Sequence, residues 1–458
     1  MIRVFHHYFS GRKLLLFLSE TVAIGLSCFA GAVFFSFVLN RSHDTAHPPG
    51  VAIARLAILS IAFVCTFQFA LYLVDLYDLR VAGEDRSRGM RLLKAVGVAV
   101  IGMGGVAAVV SFQLPGGSLL GGAMGAVGAT LLVRARMSSV VGEPARVLVV
   151  GRGAKARWLA RAIEEHSENA FVICALVDPD SDADAGLVGE HLYEVAKHHG
   201  AKYVVSASDE VTGASGAQSL LLCRLAGLQV FDAVYFCERV LRRVPVNYVL
   251  ASDLAFSEDL TVPRIRRVVK RCLDLLLSAL LLAVAVPLGL LVAIAIKLDS
   301  TGPVFYRQER VGRGGKRYVL WKFRSMAEDA EKDGPAWAKI EDERVTRVGR
   351  WIRKARIDEI PQVINVLFGD MSFVGPRPER PVFVERITSV VPFYNLRETV
   401  QPGITGWAQI RYQYGASIED ARNKLEFDLY YVKHFSLFLD VAIMFHTIRH
   451  VLRGRGAR

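Results

Sequence analysis

The sequence predicts a membrane protein of mixed class, α plus α/β, with apolar helices ahead of soluble segments. Three observations predict it. Apolar residues make up 52% of the 458, and mean hydropathy is +0.32. That excess is gathered into discrete runs, as membrane insertion requires. A glycine turn joins a strand pattern to a helix pattern at 146–166, the signature of an α/β unit. Third, a later apolar segment, 273–298, has Pro287 at its middle and basic residues at both ends.

The apolar runs at 14–39, 51–77, 92–112 and 119–133 make residues 1–140 a four-helix transmembrane region. A bilayer core of ~30 Å needs about 20 helical residues. The first three runs meet that length; the fourth is short and glycine-rich. The first run is too long for a signal h-region and lacks a small-residue cleavage site, so no cleavable signal is expected. Arg3, Arg12 and Lys13 precede it, Arg80, Arg86, Arg88, Arg91 and Lys94 lie around the second connection, and Arg134 and Arg136 follow the fourth run. The positive-inside rule puts the N-terminus and everything after residue 134 in the cytoplasm.

The net charge is +12. Because the arginines flank apolar runs, this fits an anionic lipid leaflet and phosphate-bearing substrates, and no nucleic acid is expected as a partner. The six cysteines are scattered with no Cys-x-x-Cys pair, which argues against zinc and against a disulfide framework.

Residues 141–250 read as a partial Rossmann-like cytoplasmic domain. Gly151-x-Gly153-x-x-Ala156 matches a dinucleotide fingerprint, and Asp178 ends the second strand where a ribose-binding acid belongs. Lys155 and Arg157 follow the turn, and only about 100 residues are present, so a scaffold or regulatory role competes with cofactor binding and is favoured.

The last domain covers 261–458. Its basic start includes Lys270 and is followed by Asp274, which is expected to pair with Lys270 or Arg271 as an interface anchor. The apolar helix 271–298 has two readings, a fifth span or a re-entrant helix that breaks at Pro287. Basic residues on both flanks favour the re-entrant form. Residues 305–323 alternate around Gly314-Gly315 as a β-hairpin would. Residues 326–352 look helical and polar. The segment 436–452 places Leu437, Val441, Phe445, Ile448 and Leu452 on one face, as a core helix or one lying on a membrane would.

The chemistry concentrates at 353–379. Asp358 and Glu359 stand among Arg353, Lys354, Arg356 and Arg377, ahead of a Gly375-Pro376-Arg377-Pro378 turn. Carboxylates beside arginines suggest an anionic substrate and a group that must stay ionised to attack or to bind metal. A lone Asp-Glu pair is more often a helix start with solvated arginines.

Taken together, these segments resemble the bacterial sugar transferases, the polyprenyl-phosphate glycosyl-1-phosphate transferases, in their long exopolysaccharide-type form. The matching pieces are Lys270-x-x-x-Asp274, the proline-broken helix, GPVFYRQERVG (302–312), WKFRSM (321–326), the Asp358-Glu359 motif and QPGITGWAQI (401–410). The break here reads Val286-Pro287, where relatives often have Ser-Pro. The resemblance implies a mixed α/β catalytic domain in a bacterial inner membrane. The implied reaction moves a hexose-1-phosphate from a UDP-sugar to undecaprenyl phosphate, releasing UMP. Asp358 would be the nucleophile, forming a phosphosugar–aspartyl intermediate. Glu359 would be the partner for Mg²⁺ or a base. Lys322, Arg324, Arg356 and Arg377 would bind phosphate. A homodimer and downstream glycosyltransferases are the implied partners. The upstream domains are expected to be dispensable for chemistry, with a chain beginning near Thr261 sufficient. Glucose and galactose donors fit the long form; N-acetylated sugars stay open.

Two rivals remain. A membrane-anchored NAD-dependent epimerase or dehydratase would use the Tyr193-x-x-x-Lys197 pair, but that pair falls too early after the glycine turn. A non-catalytic scaffold of polysaccharide assembly would not need the intact acid pair.

Overall fold

The computed structural model describes residues 2–4, 7–9, 11–34, 49–73, 92–99, 101, 124–135, 144–151, 153–166, 170–177, 192–207, 214–257, 260–328, 330, 342–412, 415 and 417–452. The chain divides into two compact units, Met1–Ala233 and Val234–Arg458.

In the first unit, helices Gly11–Phe34 and Pro49–Leu73 pack with helical residues 92–99 and the helix Met124–Ala135. Ile24, Phe63, Phe67 and Leu71 form the centre, and Cys28, Ala70, Ala95, Ala99 and Ala126 let the backbones approach. Among the described residues only one helix of the chain, Arg264–Asp299, is long and apolar enough to cross a membrane. The apolar helices Leu15–Ala30, Ser60–Leu73 and Met124–Ala135 are shorter. The expected four-span region is thus described as a packed helical bundle.

The same unit carries four parallel strands, Ala145–Val150, Phe171–Val177, Tyr203–Ser206 and Gln229–Asp232. Their order in the sheet is second, first, third, fourth. Helices Ala154–His166, Leu192–His198 and Ala214–Leu225 make the crossovers. Val147 to Val150 are fully buried, as a parallel strand covered on both faces must be. The order reverses between the first and third strands, and the glycine turn leaves the sheet there, as the fingerprint requires. Gly151 has φ +116, a conformation that favours glycine. Asp178 lies outside the described residues.

The second unit begins earlier than the sequence reading placed its start. Residues expected to close the α/β domain at 250 pack here instead: Val244, Val246 and Val249, followed by Leu254, join its largest core with Trp407, Phe427, Tyr430 and Ile443. At the centre of that core is the helix Ile418–Lys433, in which Leu425 through Val432 are all buried. A helix buried all round is the middle of a domain.

The helix Arg264–Asp299 has 36 residues and continues through Pro287. The expected break at Pro287 does not form. One proline removes one backbone donor, and the remaining hydrogen bonds carry the helix past it. Both ends of this helix are fixed to the same unit. Near its start, Lys270 pairs with Asp440 at 2.7 Å, and Arg271 donates to the carbonyls of Val366 and Leu367. Near its end, Val292 and Ile296 pack on Phe323 and Ile352. Between them Leu276, Leu280, Val284, Val286, Leu290 and Leu291 are exposed.

The expected hairpin forms from Phe305–Val311 and Arg317–Phe323, in antiparallel register with Tyr306 opposite Lys322. The stretch 326–352 is not one helix: Met326 bridges Val345, and the helix begins at Arg347, capped by Thr346. In the helix Leu437–Leu452, Leu439, Asp440 and Ile443 face the core. The apolar stripe Val441, Phe445 and Ile448 is the outward face.

Candidate active site

The acid pair sits in a single turn, Ile357–Glu359, entered through Arg356 at φ 56. That left-handed residue ends the preceding helix Arg347–Lys354 and turns the chain so that both carboxyls are buried. The helix Gln362–Phe368 follows and fixes the turn to the hairpin. Asn365 does this by accepting from Trp321 N at 3.1 Å and donating to Val319 O at 2.7 Å. Lys322 is thereby set beside the acids. Sequence reasoning missed Asn365, an asparagine buried in a short apolar helix.

Arg377 is delivered by the other strong motif. Strands Ser372–Val374 and Gly403–Thr405 pair in parallel, and the backbones of Gly375, Gly403 and Gly406 meet so closely that a Cβ on any of them would collide with the facing chain. Gly403 N donates to Pro376 O at 2.9 Å, and Arg397 donates to Arg377 O at 2.8 Å. The Gly-Pro-Arg-Pro turn and the Gln-Pro-Gly-Ile-Thr-Gly segment are therefore one rigid piece.

The two carboxylates meet different surroundings. Glu359 Oε1 accepts from Lys322 Nζ at 3.2 Å and from an Arg377 guanidinium nitrogen at 2.7 Å. Its Oε2 has a longer ion pair with Arg356 at 3.6 Å. Burial opposes the charge on Glu359, but Arg377, Lys322 and Arg356 outweigh it and hold this carboxyl well below the usual range. Asp358 has no hydrogen bond or ion pair among the described residues. Burial raises its pKa above the ordinary 3.8; Lys322 counteracts this, and the neighbouring Glu359 charge adds to it. Burial also lowers the Lys322 ammonium.

Of the expected phosphate binders, Lys322, Arg356 and Arg377 converge on Glu359, and Arg324 does not. Arg324 is buried, and its guanidinium donates to Thr301 O and to Ser300 O and Oγ, at 2.9 Å for both Ser300 contacts. It braces the end of the long helix. The expected pairing of Asp274 with Lys270 or Arg271 is replaced as well. Asp274 Oδ1 accepts from Ser372 Oγ at 3.1 Å and Phe373 N at 3.3 Å. The two residues thus tie the helix to the strand that precedes Gly375. In the sheet domain, Gly151 N donates to Val177 O at 2.6 Å, and a Cβ on Gly153 would meet open space. Tyr193 and Lys197 lie on one helix with the ammonium 6.0 Å from the ring centre.

Among the described residues no group of three or more His, Cys, Asp or Glu could hold a metal by itself. The donors present are the two carboxylates, which suits a Mg²⁺ that takes its remaining ligands from substrate phosphates and water.

Residues 265–454 match the bacterial sugar transferase family. The chain is 43% identical over 255 residues to a UDP-N-acetylgalactosamine-undecaprenyl-phosphate N-acetylgalactosaminephosphotransferase of Aeromonas hydrophila, covering 56% of this chain and 60% of that protein. It is 34% identical over 324 residues to an undecaprenyl-phosphate glucose phosphotransferase of Komagataeibacter xylinus, covering 68% of this chain and 60% of the relative. A putative undecaprenyl-phosphate N-acetylgalactosaminyl 1-phosphate transferase of Bacillus subtilis is 51% identical over 129 residues, 28% of this chain and 72% of its own length. The chain thus spans 60% of the length of each of the first two relatives.

Proposed function

The chain belongs to the bacterial sugar transferases, and from that premise we propose that it moves a hexose- or N-acetylhexosamine-1-phosphate from a UDP-sugar to undecaprenyl phosphate. The observation that carries this reading is the split between two adjacent acids: Glu359 held by three cations, Asp358 held by none. Environments that push paired groups apart assign them different tasks.

In the proposed reaction an Asp358 carboxylate oxygen attacks the phosphorus that bears the sugar. The bond from that phosphorus to the bridging oxygen breaks, and UMP leaves with the electron pair. A phosphate oxygen of the polyprenyl phosphate then attacks the same phosphorus and displaces Asp358. Splitting one transfer into two displacements is the use of a carboxylate nucleophile. Lys322 and Arg377, fixed on Glu359, aim positive charge at the phosphates without needing to reorganise. Arg377 is 38% exposed and so can face a substrate while its other edge holds Glu359. Mg²⁺, when bound, would neutralise diphosphate charge; Glu359 would hold it through Oε2, whose ion pair is the long one.

The proposed setting is the cytoplasmic face of a bacterial inner membrane. Its support is the long helix, which has an exposed apolar middle and two ends held by one domain. From Asp274 to Ile296 a regular helix rises about 33 Å. Were it to cross a bilayer, the domain gripping both ends would be drawn into the hydrocarbon with its charges. An unbroken helix that lies along one leaflet, its exposed apolar middle in the lipid and both ends at the aqueous face, avoids that cost.

UMP release from UDP-sugars by the purified protein tests the reaction, with Asp358→Asn expected to abolish turnover and any phosphosugar adduct on the protein. Near-native turnover in that variant would reject the mechanism.

A further inference from the structure

Beyond the acid pair, the second unit holds a cleft with its own polar lining: Glu379, Tyr394, Arg397, Ser417, Lys424 and Asp428. Arg397 joins it to the catalytic turn. Its guanidinium donates to Asp428 Oδ2 at 2.8 and 3.1 Å and, through one of the same nitrogens, to Arg377 O at 2.8 Å. Asp428 is 2% exposed, on the central buried helix. Its other oxygen, Oδ1, has no hydrogen-bond partner. A buried carboxylate oxygen without a donor costs free energy, so the fold carries it for a reason. Glu379 stands on the rim, two residues past Arg377, with a long ion pair to Arg310 at 3.6 Å. Lys424 donates to Gly415 O at 2.7 Å, and burial lowers its pKa against the pull of Glu379, Asp420 and Asp428.

The two carboxylates decide what this cleft takes. Glu379 and Asp428 balance Arg397 and Lys424, so the lining offers phosphate no net positive charge. What Asp428 Oδ1 lacks is an O–H or N–H donor. A ring bearing hydroxyls donates to acids and accepts from a lysine. We propose that this cleft binds a hydroxyl-bearing ring of the nucleotide-sugar donor, either the ribose or the transferred sugar, with Asp428 and Glu379 accepting from its hydroxyls. The proposal rests on the transferase reading above. It makes Asp428 and Glu379 specificity-determining residues one step away from the phosphate-facing Arg377.

The test uses the full chain in detergent or nanodiscs, with Glu379→Gln and Asp428→Asn. Binding of UDP, binding of a deoxyribose analogue of UDP, and KM for UDP-sugars are measured. If the ribose is the occupant, both variants lose about tenfold in UDP affinity, the scale of one charge-assisted hydrogen bond, and the native protein loses a similar factor with the deoxy analogue. If the transferred sugar is the occupant, UDP affinity holds and KM for the UDP-sugar rises about tenfold. Unchanged UDP affinity together with unchanged KM means the cleft holds water only and overturns the proposal. Should Asp428→Asn lose its fold through Arg397, the rim variant Glu379→Gln carries the test alone. A native protein that releases no UMP from any UDP-sugar overturns the underlying transferase reading, which is a different result from variants that match an active native protein.

Discussion

Asp358 and Glu359 are neighbours in sequence and opposites in environment, and that contrast makes stability and activity separable. Burial raises the Asp358 pKa, so the folded state holds its proton more tightly than the unfolded chain does. Stability from this group is therefore fully present below the ordinary 3.8 and is lost as pH rises through the raised value. At neutral pH the ionised nucleophile is a net cost, so Asp358→Asn should be inactive and at least as heat-stable as the native protein. A Tm lowered by several degrees would contradict this. The acid limb of kcat/KM should likewise lie above 3.8, because the nucleophile must lose its proton. Glu359 has the opposite sign: its pKa is depressed, so its contribution is present above the ordinary 4.5 and lost on acidification. Glu359→Gln leaves Lys322 and Arg377 facing a neutral amide, and denaturant unfolding should show a loss of roughly 2–4 kcal/mol. A change under 0.5 kcal/mol would mean the cations find other partners. The acid pair, Lys322 and Arg377 were legible because their motifs are contiguous in sequence. Arg324 stands apart from the acid pair for a geometric reason. Two residues from Lys322, it should share its face in a strand, but the strand ends at Phe323 and alternation no longer holds one residue later.

At the scale of elements, the hairpin, the parallel sheet and the long apolar helix follow from period and turn chemistry, and the structure has them. The continuity through Pro287 was not legible, because composition locates a proline but not the packing that holds the helix on either side of it. That packing replaces the break as the basis for topology. Since Asp274 is bonded to Ser372 and Ile296 is packed on Phe323 and Ile352, the ends of the helix should stay on one side whether or not the proline is present. In a background without native thiols, cysteines at Thr261 and Ser300 should both react only from the cytoplasmic side, and should still do so with Pro287→Ala. Labelling of Ser300 from outside intact cells would show that the helix crosses. The outward stripe Val441, Phe445 and Ile448 of the Leu437–Leu452 helix was visible from its spacing. What the spacing left open was which way it faced, because one period serves a core and a lipid surface equally.

At the scale of the molecule, the boundary of the transferase unit decides what a shortened protein can do. The match to the family model starts at residue 265, yet the structural unit starts at Val234. The intervening segment was not legible as part of it, since it has no strong period and follows directly on a sheet strand. Its contacts are specific: Trp407 Nε1 donates to Arg242 O at 2.9 Å, Val244 N to Glu426 O at 2.9 Å, and Arg243 pairs with Glu426 at 2.6 Å. Trp407 follows Gly406, one of the three glycines that clasp the Arg377 turn, so this segment supports the site from behind. A chain beginning at Thr261 would lose Val244, Val246, Val249 and Leu254 from the core. It would also strip Arg243 from Glu426, a carboxyl that burial already pushes up to about 7 with the arginine in place. Each buried aliphatic removed costs on the order of 1.5–3 kcal/mol in apolar transfer, so the sum rivals the whole stability of a domain. A chain beginning at Val234 keeps these contacts and drops only the first unit. It should fold, and in detergent with short-chain polyprenyl phosphate it should release UMP. The chain beginning at Thr261 should be recovered aggregated or with a broad, shallow melt. Equal activity and melting of the two would show that residues 234–260 only lie against the domain, and that the 265–454 match marks its true edge.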